Sequence, residues 1–163
     1  MFEKWMLIDG YMNYYVSNFG RVINMTTKRI LKPSISDGYK YVCLSNEGKA
    51  QKWRIHKIVA LVFIDNPENK NCVDHKNNNR LDNNVSNLRW CSSQENNMNK
   101  SKRGNASSIY KGVHRQDGKW LAGIKYNNIK IHIGSFKTQE EAGRAYNEKA
   151  SELFGEFAKL NVF

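Results

Sequence analysis

Residues 73–99 read VDHKNNNRLDNNVSNLRWCSSQENNMN. Val73 and the Leu88–Trp90 stretch have the look of two short strands flanking an asparagine-rich loop, because asparagine tolerates the left-handed backbone of tight turns. Ser92-Ser93-Gln94-Glu95 forms a capping box, which starts a helix at Ser92. Strand, loop, strand and helix in this order bring Asp74, His75 and Asn96 to one end of a small unit. Those residue types suit phosphodiester hydrolysis with one hard cation: a divalent ion such as Mg²⁺ takes oxygen ligands and keeps several waters, so one carboxylate and one carboxamide suffice from the protein. A histidine beside the ligand, with an ordinary pKa of about 6.5, is mostly neutral at pH 7 and able to take a proton from an attacking water. Asn87 is placed to brace the loop through side-chain bonds to its backbone. A polar loop with a chance Asp-His pair would have the same composition, and composition alone does not choose between the two.

The segment from about Trp53 to Asn99 resembles the HNH endonucleases of phage and intron homing systems, which have a ββα-metal nuclease fold. The likeness is carried by His-x-x-Val-Ala at 56–60, Phe63-Ile64, Asn66-Pro67, Val73-Asp74-His75, Asn84, Asn87-Leu88-Arg89-Trp90 and Asn96. The resemblance implies His75 as general base, Asn87 as the central asparagine of the catalytic motif, and Asp74 and Asn96 as ligands of one Mg²⁺ or Mn²⁺. Relatives often have Asp-Gly where this chain has Asn77-Asn78, and Asn78 is expected to keep the left-handed turn.

A net charge of +11 and a pI near 9.6 point to a polyanionic partner. The expectation is double-stranded DNA rather than a membrane, since no basic amphipathic helix stands out. Cys43, Cys72 and Cys91 form no C-x-x-C pair, which argues against a zinc knot or a disulfide framework. Without a long apolar run or a signal-peptide cleavage site the chain is expected to be intracellular, in the host cytoplasm if phage-encoded. It is further expected to be a monomer with no small-molecule cofactor.

Residues 1–50 alternate aromatic and β-branched clusters with turn signals such as Asp9-Gly10, Asp37-Gly38 and Glu47-Gly48, which predicts short strands and hairpins. The order Trp5, Gly10-Tyr11, Tyr15-Val16-Ser17-Asn18-x-Gly20-Arg21-Val22 resembles the modular DNA-binding motif that precedes the nuclease in many phage homing endonucleases. A mini-core that only supports the nuclease is the other reading of these aromatics. Arg21, Lys28, Arg29 and Lys32 are the expected phosphate contacts if the module binds DNA. Trp53 to Ile64 carries a helical stripe of Ile55, Ile58, Val59 and Val62, ended at Asp65-Asn66-Pro67. His56 on that helix is read as packed or hydrogen-bonded rather than as a ligand. Lys76, Arg80 and Arg89 surround the site and are candidate phosphate contacts. Residues 100–108 read as a basic linker, with Lys102 and Arg103 suited to a duplex backbone.

Residues 109–163 have the clearest period of two. Trp120, Ala122, Ile124 and Tyr126 share one strand face, Asn127-Asn128 is a hairpin turn, and Ile129, Ile131 and Ile133 are expected inward on the return strand. A helix follows, capped by Thr138 and Glu141, with small alanines against the sheet and a stop at Gly155. Residues 101–137 hold eight basic residues against one acid, a net of +7, and residues 138–163 three against five, a net of −2. DNA is therefore expected on the sheet side. Tyr110-Lys111-Gly112-Val113, Lys119-Trp120, Gly134-x-Phe136, Glu140-Glu141-Ala142, Ala145-Tyr146 and Leu160-Asn161 resemble the APETALA/ethylene-response-factor DNA-binding domain, in which a three-stranded sheet backed by one helix enters the major groove. His114, Arg115, Lys119, Lys125, Lys130 and His132 are the expected contacts here. Lysine is mainly a point charge where arginine reads guanine with a fork, so weaker base readout is expected.

The sequence thus predicts an α+β protein of three modules: 1–50 a DNA-binding motif, 51–99 an HNH nuclease, and 109–163 an APETALA-like domain after the 100–108 linker. The expected function is a site-recognising, metal-dependent homing endonuclease. A non-catalytic DNA-binding transcriptional regulator is the alternative.

Overall fold

Two-residue turns set the first half of the chain. Asp37-Gly38 and Glu47-Gly48 each have two consecutive positive φ angles, between 49° and 77°, the backbone of the tight hairpin turns that match strand twist. The structure, a computed structural model, describes residues 2–102 and 107–163, so Arg103 and the middle of the basic linker lie outside the described residues. The chain divides into two compact units, Met1–Ser93 and Gln94–Phe163. The architecture is α+β, rich in short strands with few helices, as expected.

In the first unit β1 (Trp5–Ile8), β2 (Tyr11–Ser17), β3 (Val22–Asn24) and β4 (Arg29–Ile30) form an antiparallel meander, and β5 (Ser34–Ser36), β6 (Tyr39–Asn46) and β7 (Lys49–Arg54) a second. The helix α1 (Ile55–Phe63) follows directly. It starts two residues later than the apolar stripe suggested, because Trp53 and Arg54 still belong to β7, Trp53 opposite Val42 with its indole N–H donated to the Tyr11 hydroxyl at 2.9 Å. Its end, before Asp65-Asn66-Pro67, agrees with the sequence. Val16, Val22, Val42, Leu44, Ile55, Ile58, Val59 and Leu88 make one core that joins both meanders to α1. Each such aliphatic side chain contributes about 1.5–3 kcal/mol when fully buried. The antiparallel ribbon of β8 (Cys72–His75) and β9 (Leu88–Cys91) completes the unit, and α2 (Ser93–Met98) begins one residue after Ser92.

The second unit is a three-stranded antiparallel sheet, β10 (Val113–Gln116), β11 (Lys119–Tyr126) and β12 (Ile129–Phe136), backed by α3 (Gln139–Phe154). The Asn127-Asn128 turn has φ angles of 47° and 66°, and Thr138 and Glu141 make both bonds of the capping box. Ala142, Tyr146, Ala150 and Phe154 bury the helix face. Gly112 (φ +76°) is fixed by that packing, since a Cβ there would stand 2.0 Å from the Tyr146 ring. One expectation fails at the sheet edge: Ile129 is 66% exposed beside the turn, and only Ile131 and Ile133 reach the core.

Candidate active site

The β8–β9 ribbon aligns Asp74 with Arg89 and His75 with Leu88. Neighbours on a strand face opposite ways, so His75 shares its face with Leu88 and the core, while Asp74 shares the other with Arg89. His75 is 5% exposed. Its Nε2 lies 3.0 Å from Oδ1 of Asn83, and since an amide oxygen only accepts, this bond forms in the tautomer with the proton on Nε2. Its ring meets that of His56, in the first turn of α1, edge to face at 4.9 Å, and Tyr39 lies 5.1 Å from His56 and 6.2 Å from His75. Burial pushes the His75 pKa below 6.5, against the opposing pull of Asn83 and Asp74. His56 falls to about 3, again mainly by burial, with His75 adding to it, so both rings are neutral at pH 7.

The loop between the strands is tied at both ends of one amide. Asn87 Oδ1 accepts from the Asn77 N–H at 3.0 Å, its Nδ2 donates to the Asp82 carbonyl at 2.8 Å, and its own carbonyl accepts from Lys76 N–H at 2.8 Å. Asn78 takes the left-handed conformation expected of it, φ 62°. Asn83 is held from the N-terminal meander. Gly20 (φ +77°) packs so close that a Cβ would come within 2.8 Å of the Asn83 Cβ, and Val85 N–H donates to the Asn18 carbonyl at 2.8 Å. The Ser17-Asn18-x-Gly20 motif therefore supports the loop that orients His75.

Asp74 is 5% exposed, and its Oδ2 accepts from Arg89 Nε at 3.0 Å and Nη2 at 2.8 Å. Arg89 is thus engaged with the carboxylate beside the site. Asn96 lies on α2, half-buried, five residues after β9 ends. Of the other basic residues, Arg21 pairs with Glu3 and covers the Trp5 ring, Lys76 donates to the Ser86 carbonyl at 3.1 Å, and Arg80 lies over the Tyr39 ring at 4.9 Å. In the second unit His114, Lys119, Lys125, Lys130 and His132 are exposed, and Arg115 covers Trp120 at 5.7 Å. Lys125 and Lys130 are directly opposed across β11 and β12. Lys102 joins His114, Lys130 and His132 at the rim of a hollow of about 600 Å³ floored by Ala122 and Ile131.

Two family models match the chain: the NUMOD4 motif over residues 3–45 and the HNH endonuclease over residues 66–98. DNA endonuclease I-HmuI of Bacillus phage SP01 is 39% identical over 103 residues, 62% of this chain and 59% of the relative. In the solved structure of DNA binding and cleavage by I-HmuI, the likeness covers 79% of this chain and 76% of that one, at 31% identity and a TM-score of 0.58. The chain belongs to the HNH homing endonuclease family. An uncharacterised HNH endonuclease of Acanthamoeba polyphaga mimivirus, L245, is 33% identical over 137 residues, 82% of this chain and 42% of the viral protein. Dehydration-responsive element-binding protein 2D of Arabidopsis thaliana is 43% identical over 61 residues, 36% of this chain and 30% of its own length. The chain thus spans between about a third and three fifths of the length of these curated relatives.

Membership of the HNH family implies a divalent cation. The donors that the resemblance implies for it, the Asp74 carboxylate of the first unit and the Asn96 carboxamide of the second, are hard oxygens, the donor chemistry of an ion that keeps most of its waters. Among the described residues no three His, Cys, Asp or Glu side chains gather into such a cage. In the sequence Asn83 stands only as one of the loop asparagines and Gly20 as part of the N-terminal motif, with nothing to tie either to His75, and His56 reads as packed without its partner ring. The signal for His56 was its place in His-x-x-Val-Ala, one turn before the buried Val59 and Ala60.

Proposed function

We propose that this chain is a site-recognising endonuclease that hydrolyses phosphodiester bonds of double-stranded DNA, acting as a monomer with one Mg²⁺ or Mn²⁺. His75 is the general base: with its proton on Nε2 it takes the proton of the attacking water at Nδ1 as the water oxygen bonds to phosphorus and the P–O bond of the leaving strand breaks. Asp74 and Asn96 are the residues that would hold the divalent ion, with Arg89 fixing the Asp74 carboxylate. When bound, that ion supplies charge stabilisation to the phosphate and the leaving oxygen. Asn87 keeps the loop closed so that His75 leaves β8 in one direction. Residues 1–50, 51–99 and 109–163 serve as DNA-contacting, nuclease and DNA-contacting modules, with Lys76, Arg80 and the basic sheet face of the last module along the backbone.

The observation that carries the reading is a buried, neutral histidine, oriented by Asn83 and next in sequence to an Arg-clasped aspartate, in a chain of the HNH family. The likeness of residues in the last module to a plant element-binding protein favours a second reading, a DNA-binding regulator without catalysis. One experiment separates them: supercoiled plasmid bearing candidate sites is incubated with the protein and Mg²⁺, with and without EDTA. Nicked or linear product that EDTA abolishes supports the nuclease, and binding without cleavage supports the regulator.

A further inference from the structure

The outer face of the second meander and Arg80, from the loop between β8 and β9, carry a group of side chains of which only Arg80 has a role above, as a backbone contact. Tyr41 and Arg54 are cross-strand partners, Tyr39 lies on the same face two residues before Tyr41, and Lys52 lies two residues before Arg54. Arg54 and Arg80 both lie over the Tyr39 ring, with guanidinium carbons 4.8 and 4.9 Å from its centroid. Arg54 Nε donates to the Tyr41 hydroxyl at 2.9 Å, and Lys52 covers the Tyr41 ring at 4.3 Å. Arg54 and Arg80 are exposed, and among the described residues neither is in an ion pair with a carboxylate. Two like charges on one ring repel, and the ring's negative faces offset this only in part, by about 0.5–1 kcal/mol per exposed contact. A guanidinium resting over a ring keeps N–H groups that match phosphate oxygens in a fork: those of Arg80, and the two Nη groups of Arg54, whose Nε is committed to Tyr41. A fixed pair of such forks is an arrangement waiting for an anion. The ring that holds them stands 6.2 Å from His75.

We propose that Tyr39, Arg54 and Arg80 form a phosphate clamp that grips the DNA backbone next to the bond cut at His75. The proposal takes from the preceding section that DNA is the partner, but it does not depend on cleavage. Tyr39 is the platform, Arg54 and Arg80 the two donors. His56, buried beneath, holds the Tyr39 ring at 5.1 Å and so links the clamp to the base.

The test uses the full chain, a labelled duplex DNA oligonucleotide and EDTA, so that binding is read without cleavage. The dissociation constant is measured by anisotropy over a range of NaCl concentrations. Arg54→Gln and Arg80→Gln are each expected to reduce the magnitude of the salt slope by about 0.9, and the double variant by about twice that. Tyr39→Leu keeps both charges but releases them, and should weaken binding severalfold while Tyr39→Phe binds like the wild type. An unchanged slope in the folded double variant overturns the clamp, as does wild-type affinity in folded Tyr39→Leu. Plasmid cleavage by the wild type in Mg²⁺ is scored separately: its absence alongside the expected slopes would remove the nuclease and leave the clamp standing.

Discussion

Replacing Asn87 by alanine removes one buried amide that makes two hydrogen bonds, to the Asn77 N–H at 3.0 Å and the Asp82 carbonyl at 2.8 Å. A net hydrogen bond is worth about 0.5–1.5 kcal/mol, and more when a buried partner is left unmet. Asn77 is exposed, so water can replace the lost acceptor, whereas Asp82 is half-buried and its carbonyl is harder to resatisfy. The expected loss is therefore about 2 kcal/mol. Asn87→Asp keeps the acceptor but turns a carboxylate oxygen towards the Asp82 carbonyl, so it should recover only part of this. Urea unfolding followed by tryptophan fluorescence reports mainly on the right unit, because Trp5, Trp53 and Trp90 lie in it and only Trp120 in the other. Cleavage should fall with stability, since His75 stands where the loop begins. A loss below about 0.5 kcal/mol in Asn87→Ala would refute the claim that this amide closes the loop.

Four further outcomes are expected. A base works only unprotonated, so cleavage should fall as pH drops through the lowered His75 pKa, placing the acid limb below 6.5; a limb centred well above 6.5 would contradict the burial argument. His56 is depressed to about 3 from an unfolded value near 6.5, so the unfolded chain binds the extra proton: stability is full above pH 6.5 and is lost progressively towards pH 3, a dependence that His56→Phe should flatten in acid titrations. Asp74→Ala and Asn96→Ala should each raise the Mg²⁺ or Mn²⁺ needed for half-maximal cleavage, with partial recovery at high metal; a wild-type metal curve in both would remove them as ligands. Gly20→Ala must strain a φ of +77° and push against Asn83, so it should lower both stability and turnover, and wild-type turnover would show that Asn83 does not orient His75.

Local chemistry was readable from the sequence, and long-range pairing was not. The Asn127-Asn128 turn and the Thr138–Glu141 box need only residues within four positions of each other, and both are as expected. The strands around the Asn-rich loop were equally legible, because alternation and turn residues specify them locally. Arg89 looked like a rim cation, since nothing in one dimension says that the ribbon register sets it opposite Asp74, fifteen residues earlier. His56 and His75 are nineteen residues apart on a helix and a strand, and only the packing of α1 against the ribbon brings their rings together. Ile129 shows the limit of periodicity: it has the right parity for the core, but it stands beside the turn and stays 66% exposed.

In the proposed function His75 activates water while other residues of the chain bind DNA. The direct measurement compares wild type with His75→Ala on supercoiled plasmid in Mg²⁺, alongside duplex affinity in EDTA. Cleavage by His75→Ala is expected to be lower by about 10²- to 10⁴-fold with affinity nearly unchanged. Full cleavage by His75→Ala would contradict it.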